Sequence, residues 1–307
     1  MESLQGLKTR LRAVKNVGTI TKAMEVVSAT KMRKSQEVAL RTRPYAIEAL
    51  DMLRKVARHV AIQTIFTTPR EIKKTLLVVM ASDRGLTGAF NTQVIRKMEQ
   101  FFAGAQEPVA ILAVGKKIER YATTRNLELI GAFSGFGDFI AYEEVGSLAD
   151  VILRGFEGGQ WDRVVTISTH FRTTLKQEVL VREILPTNSQ NIEETIKELV
   201  PERGRYADFG GIHVAAPDKD VDYILEPSAE AIVQELMPYL VRMQVYHLVL
   251  EANASEHSAR RVAMKTASDN AKDLSGKLTL SYNKVRQAAI TKEIIEITGT
   301  QNALEAV

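Results

Sequence analysis

Lys74-Thr75-Leu76-Leu77-Val78-Val79-Met80-Ala81-Ser82 contains a continuous apolar run of strand length, Leu76–Ala81, and a turn containing Gly85 and Gly88 follows it. Such a run without alternation is typical of a strand buried on both faces of a parallel sheet. The same pattern recurs at Pro108–Gly115 and Asp162–Ser168. Helical patterns separate the runs at Phe90–Phe102, Lys116–Thr124 and Gly146–Phe156. Strands that alternate with helices predict a Rossmann-like α/β domain with right-handed crossovers.

The same domain extends further along the chain. Gln177–Leu185 alternates more strongly and predicts an edge strand or part of a hairpin. Residues 187–204 are acidic and polar, and whether Ile192–Leu199 forms a short helix stays open. We therefore place the α/β domain at about residues 70–225.

The chain that precedes this domain has a helical period. We expect residues 1–66 to form an amphipathic helix with a narrow apolar seam. The predicted seam is Leu4, Leu7, Leu11, Val14, Ile20, Met24, Val27, Val38, Tyr45, Met52 and Val56. Small residues at Gly18 and within Ser28–Ser35 would let a partner helix approach closely. Pro44 predicts a bend or a local break, and Pro69 marks the end of the region.

The chain that follows the domain is helical as well, over residues 228–299, with a tail at 300–307. Ser228 is the predicted cap, Pro238 predicts a bend, and Gly299 is the predicted stop. The predicted seam is Ile232, Leu236, Leu240, Met243, His247, Leu250, Ala254, Leu274, Leu278, Val285 and Ala289. Because neither terminal helix can bury its seam alone, we expect a long antiparallel two-helix coiled coil.

Composition excludes several classes of function. The 307 residues include no cysteine, which excludes a disulfide framework, a cysteine nucleophile and a thiolate metal site. The histidines show no ligand spacing, so no metal is expected; they are His59, His170, His213, His247 and His257. We expect neither a secretory signal nor a membrane span.

Charge is distributed unevenly. Residues 2–65 carry 13 basic and 5 acidic side chains, a net +8, whereas the whole chain is +4. A basic helical face favours an anionic partner, which could be nucleic acid, anionic lipid or an acidic protein surface. Few aromatic residues accompany the basic run Lys31–Lys34, so base stacking is unsupported and an acidic protein fits better.

The sequence contains only weak signals for catalytic or ligand-binding sites. Ser82–Asn91 follows a strand and precedes a helix, where doubly wound folds bind phosphates, but neither nucleotide-binding glycine motif is present. We interpret it as a tight turn in which Asp83 and Arg84 pair with each other or with a neighbouring chain. Gly115-Lys116-Lys117 is interpreted as a solvated helix start. Ser168 and His170 lack the nucleophile-elbow motif of a hydrolase, so we expect no catalytic site and no cofactor.

Two segments carry a family resemblance. Ile20–Lys34 resembles the N-terminal signature of F-type ATP synthase gamma subunits, and Ser281–Ile294 resembles their C-terminal signature. Further similarity lies in Glu251–Arg260 with Met264 and Asp269–Ala271, and in Asp83–Leu86 with Phe90-Asn91. Thr87 stands where many members have a cysteine. A cysteine-free chain cannot perform the thiol switching of the photosynthetic relatives, which favours a non-photosynthetic bacterium.

The resemblance implies a non-catalytic central rotor stalk that transmits torque between a membrane ring of c subunits and a catalytic head of alpha and beta subunits. It implies contact with the epsilon subunit as well, and a peripheral location on the cytoplasmic face of the bacterial inner membrane. The implied head contacts are Lys22, Met24, Lys31, Arg33, Arg260, Arg286, Gln287 and Thr291. Asp83 and Arg84 are implied contacts to epsilon, to the c-ring or within the domain.

Two other functions are compatible with parts of the pattern. A doubly wound enzyme could use the coiled coil only to form oligomers, but it would require a phosphate-binding loop. A nucleic-acid adaptor could use the basic first region, and steeply salt-sensitive retention on DNA or RNA would favour it.

Overall fold

The computed structural model describes residues 3–59, 64–137, 140–187, 226 and 228–305. The chain divides into two compact units: Met1–Ser28 with Arg261–Val307, and Ala29–Arg260. The open question of a helix at Ile192–Leu199 lies outside the described residues.

Five helices and five strands are described. The helices are α1 Leu4–His59, α2 Phe90–Gly104, α3 Lys116–Thr124, α4 Tyr142–Glu157 and α5 Ala229–Glu305. The strands are β1 Thr75–Met80, β2 Val109–Val114, β3 Leu129–Phe133, β4 Arg163–Phe171 and β5 Gln177–Leu185. The three apolar runs and the strand at Gln177–Leu185 are thus confirmed, whereas β3 was not predicted.

The strands form one sheet in the order β3-β2-β1-β4-β5. β1, β2, β3 and β4 run parallel to one another, and β5 pairs antiparallel with β4 at the edge of the sheet, so both predicted alternatives, an edge strand and part of a hairpin, apply to it. All six residues of β1 are buried, as expected for a central strand covered on both faces. The structure therefore has the predicted α/β architecture.

Each face of the sheet has its own apolar core. On one face, α2 and α3 cover Leu77, Val79 and Ile111 through Val94, Met98 and Ile118. On the other face, α4 and the first part of α5 cover the alternate strand residues, among them Leu76, Val78 and Leu112. The alternation follows from the period of two along each strand.

The first part of α5 is a core helix rather than a helix with a single seam. Ser228 caps it as predicted, its hydroxyl accepting from the Ala231 N–H at 3.2 Å. The helix continues through Pro238. From residue 245 to residue 252 every side chain is buried, so the buried surface of this segment is wider than the predicted seam through His247 and Leu250. A helix that is apolar on all sides is one that packs on several sides.

The other unit, Met1–Ser28 with Arg261–Val307, is a two-helix coiled coil. Eight of the covered positions of α1 are spaced alternately by three and four residues, which is a heptad pattern, and the half-buried Gly6 and Met24 lie beside it. They are Leu4, Leu7, Leu11, Val14, Gly18, Thr21, Glu25 and Ser28. The α5 side shows the same spacing at Met264, Ser268, Ala271, Ser275, Leu278, Tyr282, Val285 and Ala289.

This heptad corrects three predicted seam residues. Ile20 is 59% exposed, Val27 is 52% exposed and Leu274 is 40% exposed. The heptad passes instead through small and polar residues, because they permit the helices to come close. A Cβ placed on Gly18 would lie 3.4 Å from the Cβ of Ala271. The hydroxyl of Thr21 donates within its own helix to the Val17 carbonyl at 2.9 Å, and that of Ser28 to the Met24 carbonyl at 2.7 Å, so neither is left unbonded in the seam.

The two helices of this unit run antiparallel, since α1 leaves the unit at Ser28 and α5 enters it at Arg261. Two predicted boundaries are wrong. α1 is described as Leu4–His59 and no longer continues at residues 64–66, and α5 continues past Gly299 to Glu305. Of the bend or local break predicted at Pro44, the break is absent, since the helix is continuous through residue 44. The side chains of Tyr45, Met52 and Val56 lie outside the described part of the seam.

Candidate partner-binding surface

The turn after β1 is held by its own side chains. Asn91 at the start of α2 accepts from the Ser82 N–H at 3.1 Å and from the Ser82 hydroxyl at 2.9 Å. Its amide nitrogen donates to the Thr87 hydroxyl at 3.1 Å. Ser82 and Thr87 are buried. This network fixes the turn from within, as predicted for a tight strand-to-helix connection.

Asp83 occupies the place where a phosphate would bind at a helix start. Its carboxylate accepts from the backbone N–H of Lys116, the first residue of α3, at 3.0 Å, and from that of Gly135 at 2.8 Å. Helix N-termini attract anions, and here the protein supplies its own. Asp83 therefore binds two backbone segments of its own domain rather than Arg84, and Arg84 is exposed.

The pair Ser168 and His170 is buried and engaged. His170 Nδ1 lies 3.1 Å from the carboxylate of Glu251 on α5, and Ser168 accepts from Arg182 at 3.2 Å. Burial acts to raise the pKa of Glu251, but the hydrogen bond from His170 and the nearby His247 and Arg182 lower it to about 2. Glu251 is therefore ionised, and His170 Nδ1–H donates to it. Sequence reasoning found no acid for His170 because Glu251 lies 81 residues away.

Two negative findings apply to the described part of the chain. No group of three or more histidine or carboxylate side chains is arranged to hold a metal ion there. Nor does any helix within it have the length and apolarity needed to cross a membrane.

The outer surface of α1 combines basic and apolar side chains. Lys22 is exposed and pairs with Glu25 at 2.9 Å, and Arg33 is exposed as well. Met24 and Lys31 are half-buried. The Lys22 ammonium is the exposed partner of this ion pair, at 62% exposure, and surface pairs contribute roughly 0–1 kcal/mol, so Lys22 can exchange Glu25 for another carboxylate at little cost.

An apolar stripe beside the coiled-coil seam was missed by the sequence analysis. Val17, Ile20, Met24 and Val27 are spaced by three or four residues and so share one face of α1. Val17, Ile20 and Val27 are each more than half exposed. Continuing the heptad of Leu4, Leu7 and Leu11 without interruption would have placed them outside the seam. Contiguous exposed apolar residues mark interaction surfaces.

The last turns of α5 have a similar surface. Arg286, Gln287 and Thr291 are exposed, and the Thr291 hydroxyl donates to the Gln287 carbonyl at 2.9 Å. Large apolar side chains around them are exposed too. They are Leu280, Ile290, Ile294, Ile295 and Ile297, at 73%, 48%, 56%, 63% and 67%. Exposing this much apolar surface to water is unfavourable, so a partner that buries these side chains would be bound favourably.

Arg260 is placed differently from the other predicted contacts. Its guanidinium donates to Glu256 at 2.6 Å and lies 3.3 Å from His257 Nδ1, and only 11% of its side chain is exposed. This cation is therefore committed to its own helix in the isolated chain.

The predicted contacts do not form one cluster. Within the coiled-coil unit, Gly18 lies opposite Ala271, and Arg286 lies 15 residues further along α5. Lys22 lies four residues from Gly18 in the other direction, so about 28 Å of helix axis separates Lys22 from Arg286. Lys31, Arg33, Asp83, Arg84 and Arg260 belong to the other unit. Within the coiled-coil unit, the predicted contacts are therefore spread along the helices and do not gather at one place.

Comparison with known proteins gives one consistent result. A family model described as ATP synthase matches residues 3–304. The ATP synthase gamma chain of Roseiflexus sp. (strain RS-1) is 37% identical over 310 residues, which is 99% of each chain. That of Salinibacter ruber (strain DSM 13855 / M31) is 32% identical over 313 residues, also 99% of each. That of Pelotomaculum thermopropionicum is 35% identical over 306 residues, covering 99% of this chain and all of the relative.

Solved structures agree on the fold. A chain of the Euglena gracilis mitochondrial ATP synthase, in the OSCP/F1/c-ring assembly, matches with a TM-score of 0.64 and 17% identity over 99% of this chain and 95% of that one. A chain of the Tetrahymena thermophila mitochondrial ATP synthase central stalk/c-ring matches with a TM-score of 0.57 and 22% identity over 81% of this chain and 99% of that one.

Proposed function

This chain belongs to the ATP synthase gamma-chain family, and on that premise we propose that it is the central rotor stalk of a bacterial F-type ATP synthase, with no catalytic site of its own. The stalk transmits torque between a membrane c-ring and a head of alpha and beta subunits. The observation that carries the proposal is the coiled-coil unit, in which a heptad pattern joins the two ends of the chain.

The helices suit a part that must resist twist. α5 has 77 residues, about 115 Å at ~1.5 Å per residue, and α1 has 56. A heptad seam with a close approach at Gly18 and Ala271 couples the two helices along their length.

The α/β domain is built for support rather than for chemistry. The turn after β1 is held by hydrogen bonds among Ser82, Thr87 and Asn91, and the Asp83 carboxylate occupies the N-terminus of α3. Ser168 and His170 are buried, and their side chains bond to Arg182 and Glu251. These features support a role in which the domain serves as an attachment point, in contact with the epsilon subunit and the c-ring.

We place the contacts to the head on the surfaces of α1 and of the end of α5 described above, where Lys22, Arg33, Arg286, Gln287 and Thr291 are exposed. Lys22, Met24, Lys31 and Arg33 would face acidic lever segments of the beta subunits, and Arg286, Gln287 and Thr291 would face loops that hold the end of α5. The exposed apolar residues beside them supply area, and the exposed cations supply weak, exchangeable ion pairs. A rotating contact requires such weak pairs, because a strong one would stop the rotor. The complex would lie at the cytoplasmic face of the inner membrane.

Reconstitution tests this function. Membranes that lack their own gamma chain but contain the other subunits are supplied with this chain, and ATP-driven proton pumping is measured. We expect pumping to return, and we expect the chain to co-purify with alpha, beta and epsilon. Micromolar ATP or NAD binding to the purified chain, or turnover by it alone, would contradict the proposal.

A matched pair of variants tests the contact surface. Arg286→Ala should weaken coupling by several fold, because it removes a cation from the exposed end of α5. Arg154→Ala, which removes an 81% exposed arginine from α4, should leave pumping as in the wild type. Equal effects of the two would remove the reason to place the head contact at Arg286.

A further inference from the structure

Two lines of polar contacts hold α5 within the α/β domain. The first, the sheet line, consists of Glu251, Ser255 and Ser258. Glu251 accepts from His170 of β4 at 3.1 Å, and Ser255 donates to the Thr169 carbonyl at 3.0 Å. Ser258 donates to the Thr174 carbonyl at 2.8 Å, just beyond β4. All three residues are buried.

The second, the loop line, consists of Tyr246 and Asn253. The Tyr246 hydroxyl donates to the Ile140 carbonyl at 2.8 Å, and the Asn253 amide donates to the Gly137 carbonyl at 3.2 Å. Both acceptors belong to the segment between β3 and α4. The phenol of Tyr246 is buried, so its hydrogen bond is not exchanged with water.

The two lines lie on opposite sides of the helix. At 3.6 residues per turn, Tyr246 and Asn253 share one side, and Glu251, Ser255 and Ser258 share another that is rotated by roughly 150°. Rotating α5 about its own axis in either direction therefore breaks contacts on both sides at once. Apolar packing alone offers less resistance, because it is not directional.

We propose that the sheet line and the loop line together lock the rotational setting of α5 against the sheet, so that torque passes between the α/β domain and this helix without slip. The inference rests on the proposed function. It assigns the contacts that transmit torque inside the domain to five polar residues, none of which is a proposed contact to the head. Directional polar contacts are well suited to this task because buried polar groups fix register where apolar packing would tolerate alternatives.

The test compares three complexes reconstituted with the full chain. One contains the four substitutions Tyr246→Phe, Asn253→Ala, Ser255→Ala and Ser258→Ala. Each removes the group that donates the hydrogen bond, and all but Asn253→Ala nearly preserve the shape of the side chain. The second contains Glu251→Gln. The control contains Val249→Ala, which truncates a buried side chain on the same helix and leaves both lines in place. Protons pumped per ATP hydrolysed are measured in vesicles.

The fourfold variant is expected to lower the pumping ratio to half or less, and Glu251→Gln to lower it by a smaller factor. Val249→Ala should keep the wild-type pumping ratio, even if its unfolding midpoint falls as far as that of the fourfold variant. A wild-type ratio in the fourfold variant, or an equal loss in the Val249→Ala control, would overturn the inference.

Amide hydrogen exchange on the full chain tests this inference independently of the proposed function. It can also be measured if the fourfold variant assembles poorly into the complex. The fourfold variant should exchange at least tenfold faster in residues 246–258, while β1 and β2 stay protected as in the wild type. If the wild-type chain fails to restore pumping, the rotor function is wrong, and the lock is then judged by exchange alone. Unchanged exchange in residues 246–258 would contradict it.

Discussion

Gly115 is the residue on which the turn between β2 and α3 depends. Its φ is +99°, and a Cβ there would lie 2.0 Å from the Ala81 carbonyl oxygen. Gly115→Ala should therefore reduce the free energy of unfolding by about 3 kcal/mol or more, since the obstacle is backbone that cannot move aside. The control is Gly104→Ala at the end of α2, where a Cβ would have no neighbouring atom within 4 Å. This substitution should be neutral or slightly stabilising. Urea denaturation measures both, and equal midpoints would show that the close approach is absent.

Glu251 makes the free energy of unfolding depend on pH in the acid range. Its pKa is about 2 in the folded protein, against an ordinary value of 4.5, so its ionisation stabilises the fold fully above about pH 4.5. That contribution is lost as the pH falls from 4.5 towards 2. Between pH 5 and pH 3 the urea midpoint of the wild type should therefore fall more steeply than that of Glu251→Gln. Parallel curves would mean that the carboxylate is not held by His170 and Arg182 as described.

At the scale of the element, the coiled coil depends on small residues in its seam. Gly18 has the Ala271 Cβ at 3.4 Å from where its own Cβ would be. Gly18→Ala should be tolerated, whereas Gly18→Leu should force the helices apart and lower the unfolding midpoint by the equivalent of about 2 kcal/mol. The control is Gly276→Leu, since Gly276 lies on α5 with nothing within 4 Å. Far-UV circular dichroism with urea measures all three, and a Gly18→Leu variant as stable as Gly276→Leu would place the seam elsewhere.

The hydrophobic periodicity of the sequence predicted those elements whose own residues are largely buried. The runs that became β1, β2 and β4 could be identified because central strands of a parallel sheet are apolar on both faces. β3 was missed, because Leu129–Phe133 is short and only half-buried at the sheet edge. The seam of α1 was predicted correctly as far as Val14 and then followed apolar side chains to Ile20 and Val27, which the structure leaves exposed.

Contacts between distant parts of the chain could not be predicted. The carboxylate of Glu251 meets His170 only because α5 crosses the sheet, and no local pattern encodes that encounter. The same holds for Asp83, whose partners Lys116 and Gly135 follow two other strands. The exposed apolar residues beside Met24 could have been found from the sequence by keeping the heptad strict.

At the scale of the whole molecule, the rotor function requires the two helices of the coiled-coil unit to turn as one body. α1 and α5 each belong to both compact units, and α5 is continuous from the core of the α/β domain to Glu305. The rotor function therefore predicts that a covalent link between the helices of the coiled-coil unit changes nothing in the working complex, since the helices never need to separate.

A disulfide tests that requirement most directly. The chain has no cysteine, so Gly18→Cys with Ala271→Cys creates a single pair, and the 3.4 Å separation of their Cβ positions is close to that of a disulfide, about 3.5–4.5 Å. Proton pumping by the reconstituted complex is measured before oxidation, after it and after reduction. We predict that the bond forms nearly completely and that the oxidised complex pumps as well as the reduced one. Failure of the bond to form, or a loss of pumping on oxidation that a reductant restores, would contradict the account.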